Sequence, residues 1–182
     1  MNAVLDYIGS VALGGMIFLT LISFYGTINT SHEEQMMSSI VQEDYNSATE
    51  VIAYDFRKIG FGSTDSTKVT TADTTRLDFL GDVDANGTVD QVSYYLTNTP
   101  PAGAANNKRR ILYREVNGAA VPLLTNVTAF KLRYFDASGS QTIVLKNIKS
   151  LNVAMTIEAD IAYNDVYPGV SWERNFTPFN LR

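Results

Sequence analysis

The chain has 182 residues, with 19 acidic and 14 basic side chains for a formal net charge of −5, one histidine and no cysteine. Disulfides, thiolate metal sites and cysteine nucleophiles are therefore excluded. Its lysines and arginines are scattered along an acidic chain, without the basic stripe that a phosphate backbone needs, so no nucleic-acid partner is expected.

The N-terminal segment sets the class. No formally charged residue stands between Asp6 and Glu33, and Tyr7 to Ile28 reads YIGSVALGGMIFLTLISFYGTI. About 20 apolar residues, each rising ~1.5 Å in a helix, match the ~30 Å hydrocarbon layer of a bilayer. A cleaved secretory signal would open on Lys or Arg, whereas the first basic residue here is Arg57, and Phe24-Tyr25 stands where a small-residue cleavage site belongs. The segment therefore reads as a retained membrane helix. Gly9, Ser10, Ala12, Gly14 and Gly15 cluster in its first half, with Ser10 and Gly14 at the small-xxx-small spacing that lets helices approach. Asp6 is costly in hydrocarbon unless it meets a positive group. The N-terminal amine of Met1, its own or a neighbouring subunit's, is the obvious partner. The alternative places Asp6 among headgroups or at the positive end of its own helix dipole.

Beyond His32 the apolar residues become periodic: Met37, Ile40, Val41, Tyr45, Ala48, Val51, Ile52, Phe56 and Ile59 recur at threes and fours, predicting an amphipathic helix. Glu33, Glu34, Gln42, Glu43, Asp44, Glu50, Asp55 and Lys58 are expected on its wet face, and Gly60 at a left-handed cap. No proline interrupts residues 1–60. If Gly26-Thr-Ile-Asn-Thr-Ser31 stays helical, the two pieces form a rod of about 58 residues, roughly 85 Å long. These are modest helix formers, so Gly26 and Asn29 mark the expected kink, melted turn or hinge.

After Gly60, turn clusters alternate with short β-branched or aromatic runs, the pattern of antiparallel strands. Strands are expected near 76–80, 91–96, 110–116, 127–135, 141–144 and 151–161, with turns at 82–87, 117–118 and 136–139. The expected fold is α+β: a long N-terminal α-helix, hydrophobic then amphipathic, packed on an antiparallel β-sheet head. The segments are a hydrophobic helix over 1–31, an amphipathic continuation over 32–60 and the sheet domain over 61–182. Lys108-Arg109-Arg110 follows a Pro, Gly and Asn-rich loop and reads as a solvated strand entrance. The tail from Tyr167 is apolar for a terminus and is expected to pack on the domain or on a neighbouring subunit.

Asp82-Val-Asp84-Ala-Asn86-Gly87-Thr88-Val-Asp90 places oxygen ligands at the first, third, fifth and ninth positions with glycine sixth, and the Thr88 carbonyl at the seventh. That is the front of a Ca²⁺ loop, because Ca²⁺ takes six to eight oxygens. The twelfth place is Ser93 rather than a bidentate Glu, and no helix flanks the loop. An ordinary turn rich in Asp, Asn and Gly is the competing reading, so no cofactor is expected beyond this candidate Ca²⁺. Asp160 and Asp165 are not placed in a cleft by anything in the sequence, His32 lies just outside the membrane segment, and no enzyme is expected.

A hydrophobic N-terminal helix running into an amphipathic one and then an antiparallel sheet resembles the type IV pilins and pseudopilins. Tyr54-Asp-Phe-Arg-Lys-Ile-Gly-Phe-Gly62, the turn Asp82–Gly87, Val92-Ser-Tyr-Tyr-Leu96, Leu112-Tyr-Arg114, Asn126-Val-Thr-Ala-Phe130 and Tyr134-Phe-Asp136 are similar, in that order, to the PilW-like minor pilins. The resemblance implies a non-enzymatic structural subunit of an extracellular filament, polymerising through its hydrophobic helix. Met1, Asp6, Gly9, Ser10, Gly14 and Gly15 would then be assembly residues. It implies copies of itself, other pilins and an inner-membrane assembly platform as partners. The implied location is the cell surface, with a precursor pool held in the inner membrane. The alternative is a low-copy minor pilin or pseudopilin that initiates assembly, or a membrane-anchored adhesin. Family pilins carry a basic leader and a glutamate at the fifth mature position. This sequence shows no leader and has Asp6 one place later, so leader cleavage is not carried over.

Overall fold

The computed structural model describes residues 2–162 and 165–181. The fold is α+β. Helix α1 (Asn2–Arg57) is followed by β1 (Val69–Ala72), β2 (Arg76–Gly81), β3 (Asp90–Leu96), β4 (Arg110–Val116), β5 (Ala119–Phe135), β6 (Ser150–Glu158) and β7 (Gly169–Phe176). The strands form one antiparallel sheet in sequence order, β1 to β7. By compactness the chain divides into Met1–Ser39 and Ile40–Arg182.

Within the second unit, the helix from Ile40 onward and the sheet share one core. Val41, Ala48, Ile52, Phe56 and Ile59 are buried with Leu77 and Phe79 of β2, Val92 and Tyr94 of β3, Leu112 of β4, and Val153, Met155 and Ile157 of β6. The alternate residues of each strand reach the helix because strand side chains alternate faces. Phe56 is the plug: its ring meets those of Phe79, Tyr94 and Phe176 edge-on, with centroids 6.0, 5.1 and 5.6 Å away. Burying each large side chain contributes about 1.5–3 kcal/mol, enough to hold a helix face that would be marginal in water alone. The helix ends where it does because β2 crosses its last turn. A Cβ on Gly81 would sit 2.4 Å from the Lys58 carbonyl, so only glycine fits there.

Two expectations about elements are corrected. The run 127–135 is the second half of a 17-residue strand. Asn117 and Gly118 both adopt left-handed φ (52° and 85°) in a two-residue turn that sets Val116 directly opposite Ala119, so the ladder starts at once. Residues 141–144 are not a strand. Only Gln141 bridges, to Phe135, on the edge of β5 opposite β6, and the chain then turns into a short 3₁₀ helix at Leu145–Asn147. β1 and β7 are the strands the sequence reading missed: Val69-Thr-Thr-Ala72 is short and lies in polar surroundings, and β7 lies in the apolar tail, expected to pack but not as a strand. The tail packs, with Phe176 and Leu181 buried.

The sheet curls. The Leu132 N–H donates to the Thr74 carbonyl (2.8 Å), and the Tyr134 hydroxyl donates to the Asp73 carbonyl (2.9 Å), drawing the β1–β2 turn onto β5. The first part of β5 pairs with β4 as far as Arg110↔Val127, and from Val127 onward β5 pairs with β6.

Candidate functional site

The helix surface of the first unit is the most unusual feature of the chain. Asp6–Asn29, 24 residues, is long and apolar enough to cross a membrane, and none of it is buried. Ile8, Leu13, Ile17, Leu21, Phe24 and Tyr25 are each 58–67% exposed. Together with exposed Met16, Phe18, Leu19 and Ile22 they cover every side, so apolar surface runs right round the helix, a pattern that water does not tolerate. The assembly candidates lie on it as small or polar interruptions. A Cβ added at Gly9, Gly14 or Gly15 would meet nothing within 4 Å. The Ser10 hydroxyl donates to the Tyr7 carbonyl (2.9 Å), which keeps it satisfied in an apolar setting. Asp6 is exposed, and Met1 lies outside the described residues. Across Gly26 and Asn29 the helix is continuous, and Thr27 helps by returning its hydroxyl to the Ser23 carbonyl (3.0 Å).

The β2–β3 turn gathers three of its five candidate ligands. Asp82, Asp84 and Asp90 each bring a carboxylate oxygen within 4.8 Å of the others. Hard oxygens in this number suit Ca²⁺ rather than a softer metal. The turn also supplies its own donors. Asp82 accepts from the N–H groups of Asn86 (3.1 Å) and Gly87 (2.9 Å), Asp84 from the Asn86 N–H and side-chain amide, and Asp90 from the Val83 N–H (3.1 Å) and the Asn117 amide (2.7 Å). Asn86 Oδ1 is turned onto the Thr88 N–H (2.7 Å) and hydroxyl. Burial pulls the Asp82 carboxyl upward, but the N–H groups of Gly87, Asn86 and Ala85 outweigh it and hold it below the usual carboxylate range. Left-handed Ala85 (φ 62°) and Gly87 (φ 87°) allow the chain to wrap around these carboxylates.

One polar cluster went unread. Asp55, expected on the wet face, is fully buried. Three residues after Ile52 and four before Ile59, it lies on the inward arc, a position the helical period could have flagged. Arg114 of β4 approaches it through Nε (2.6 Å) and Nη2 (3.2 Å), and the Tyr94 hydroxyl of β3 donates to it at 2.6 Å. Tyr94 and Arg114 are opposite one another in the β3–β4 ladder, so the sheet presents a matched pair of donors to one helical carboxylate. The bond to Asp55 holds the guanidinium well above its ordinary value, and burial followed by the Asp55 charge pushes the Tyr94 phenol up.

The basic run 108–110 stands at the entrance to β4 with Lys108 exposed, as expected, but its two arginines are engaged within the domain. Arg109 is largely enclosed, pairing with Asp160 (2.5 Å) and donating to the Thr125 carbonyl, and Arg110 donates to the carbonyls of Asn107 and Arg109. Asp160 also accepts from the N–H groups of Ala105 and Asn106, fastening the 97–109 loop to the end of β6. These charges are engaged within the domain because the loop folds back onto the sheet. His32 is exposed beside Thr27, Ile28 and Gln35 on the helix surface. A scan against protein-family models and a search of curated proteins both return no match.

Proposed function

We propose that the chain is a structural subunit of a type IV pilus-like extracellular filament that polymerises through its N-terminal hydrophobic helix. The observation that carries this reading is the 24-residue helix exposed and apolar on every side. Such a surface needs a cover. Lipid supplies it in the membrane, and neighbouring copies supply it in a polymer, where the open space at Gly9, Gly14 and Gly15 admits close helix contact. Asp6, on that same surface, pairs with the N-terminal amine of an adjacent copy and sets the stagger between subunits. The β-rich domain faces outward, and subunits add by a heterologous contact that does not close.

The test is electron microscopy of sheared cell-surface material with mass spectrometry of its subunits. Filaments built mainly from this chain are expected. Asp6→Ala is expected to abolish them while the membrane-bound protein stays at its normal level. A chain found only as isolated copies in the membrane, or as a trace component of filaments made of another protein, overturns the reading.

A further inference from the structure

Where β4 leaves β5, the sheet has a gap. The β4 register ends at Arg110↔Val127, and among the described residues no strand pairs with that edge of β5 until the Gln141 bridge at Phe135. The Leu132 N–H, aimed away from β6, is taken by Thr74, and the Tyr134 carbonyl, aimed the same way, by Thr142. The strand alternation therefore points the Phe130 N–H and C=O in the same direction, into a cleft of about 570 Å³. Thr74, Thr75, Leu96, Gln141, Lys131 and Arg133 contribute to its walls, and no carboxylate lines it. Among the described residues, neither the Lys131 nor the Arg133 side chain makes an ion pair or hydrogen bond. Both are exposed. The molecule as a whole is acidic, so this is a cationic opening on a chain of net charge −5.

We propose that this cleft binds an extended acidic peptide segment, which adds as a short strand beside Thr128–Phe130 and sets its carboxylates against Lys131 and Arg133. Both features are needed for the assignment. An interrupted strand edge selects an extended main chain, because only a peptide offers alternating C=O and N–H groups at the strand repeat. The unpaired cations select the charge of its side chains. The open stretch 128–130 is about 7 Å long at ~3.3 Å per residue, room for two or three residues of ligand. Its volume lies within the range usual for small-ligand pockets, roughly 300–1,000 Å³. The site belongs to the Ile40–Arg182 unit and does not depend on the filament reading.

The test uses the full chain in dodecyl maltoside micelles and fluorescence anisotropy with labelled acetyl-Thr-Glu-Val-Glu-Thr-amide. Its counterpart with Lys in place of Glu is the charge control, and a version N-methylated at alternate residues is the main-chain control. The acidic peptide is expected to bind at least about tenfold more tightly than either control. Lys131→Glu combined with Arg133→Glu is expected to remove that preference while leaving the far-ultraviolet circular dichroism unchanged, since both side chains are exposed. Equal binding of acidic and basic peptides, full retention of affinity by the N-methylated peptide, or no binding at about 1 mM peptide overturns the proposal.

Discussion

The buried group around Asp55 gives the sharpest test of how the helix is held on the sheet. Asp55→Ala removes one carboxylate and strands two donors. Breaking a buried ion pair from one side costs about 3–5 kcal/mol, because the remaining charge has lost its partner. The Arg114 side chain is 29% exposed and can turn toward water, so the lower end, about 3 kcal/mol, is the expected share. The Tyr94 ring is fully buried, and losing the Asp55 acceptor of its hydroxyl adds about 1 kcal/mol. A total near 4 kcal/mol corresponds to a fall in Tm of about 8–16 °C for a chain of this size. Trp172, the one tryptophan, packs on Phe176 (6.0 Å between ring centroids), so its fluorescence follows melting of the sheet domain in micelles. The triple variant Asp55→Leu, Tyr94→Phe, Arg114→Met removes all three polar groups together and is expected within about 1 kcal/mol of the parent. A loss under about 1 kcal/mol for Asp55→Ala, or a triple variant no better than the single one, refutes the reasoning.

Two further outcomes follow from the titratable groups. Burial raises the phenols of Tyr94 and Tyr134 above their ordinary value near 10, so the unfolded chain releases those protons first as pH rises. Their contribution is complete below about pH 10 and is lost above it. Tyr94→Phe combined with Tyr134→Phe should flatten the alkaline limb of a Tm-against-pH curve, and an unchanged limb would count against it. In the β2–β3 turn the carboxylate oxygens of Asp82, Asp84 and Asp90 are already held by N–H donors. About 1 mM Ca²⁺ is therefore expected to leave Tm unchanged relative to chelator, and a rise of several degrees would instead establish a metal site.

Legibility differed sharply between local and non-local features. The hydrophobic run from Tyr7 to Ile28 needed no partner to be read, because its length and lack of charge are set against a bilayer of fixed thickness. The Asn117-Gly118 turn was equally plain, since only residues tolerant of left-handed φ suit it. Strands β2, β3 and β4 announced themselves through β-branched and aromatic runs bounded by turns, whereas β7 is a strand because β6 offers it an edge, which no local alternation in the tail announces.

Sequence by itself thus determined that an apolar helix precedes an antiparallel α+β domain, and that Asp82, Asp84 and Asp90 share one turn. Both follow from spacing along the chain. Tertiary structure alone decided that Asp55 faces inward to Arg114 and Tyr94, residues 59 and 39 positions away, and that Arg109 is locked to Asp160. It alone opened the gap beside Phe130, where one strand changes partners between β4 and β6. A charge's partner depends on which strands become neighbours, and neighbours are chosen by burial of the whole sheet against the helix rather than by any local run of residues.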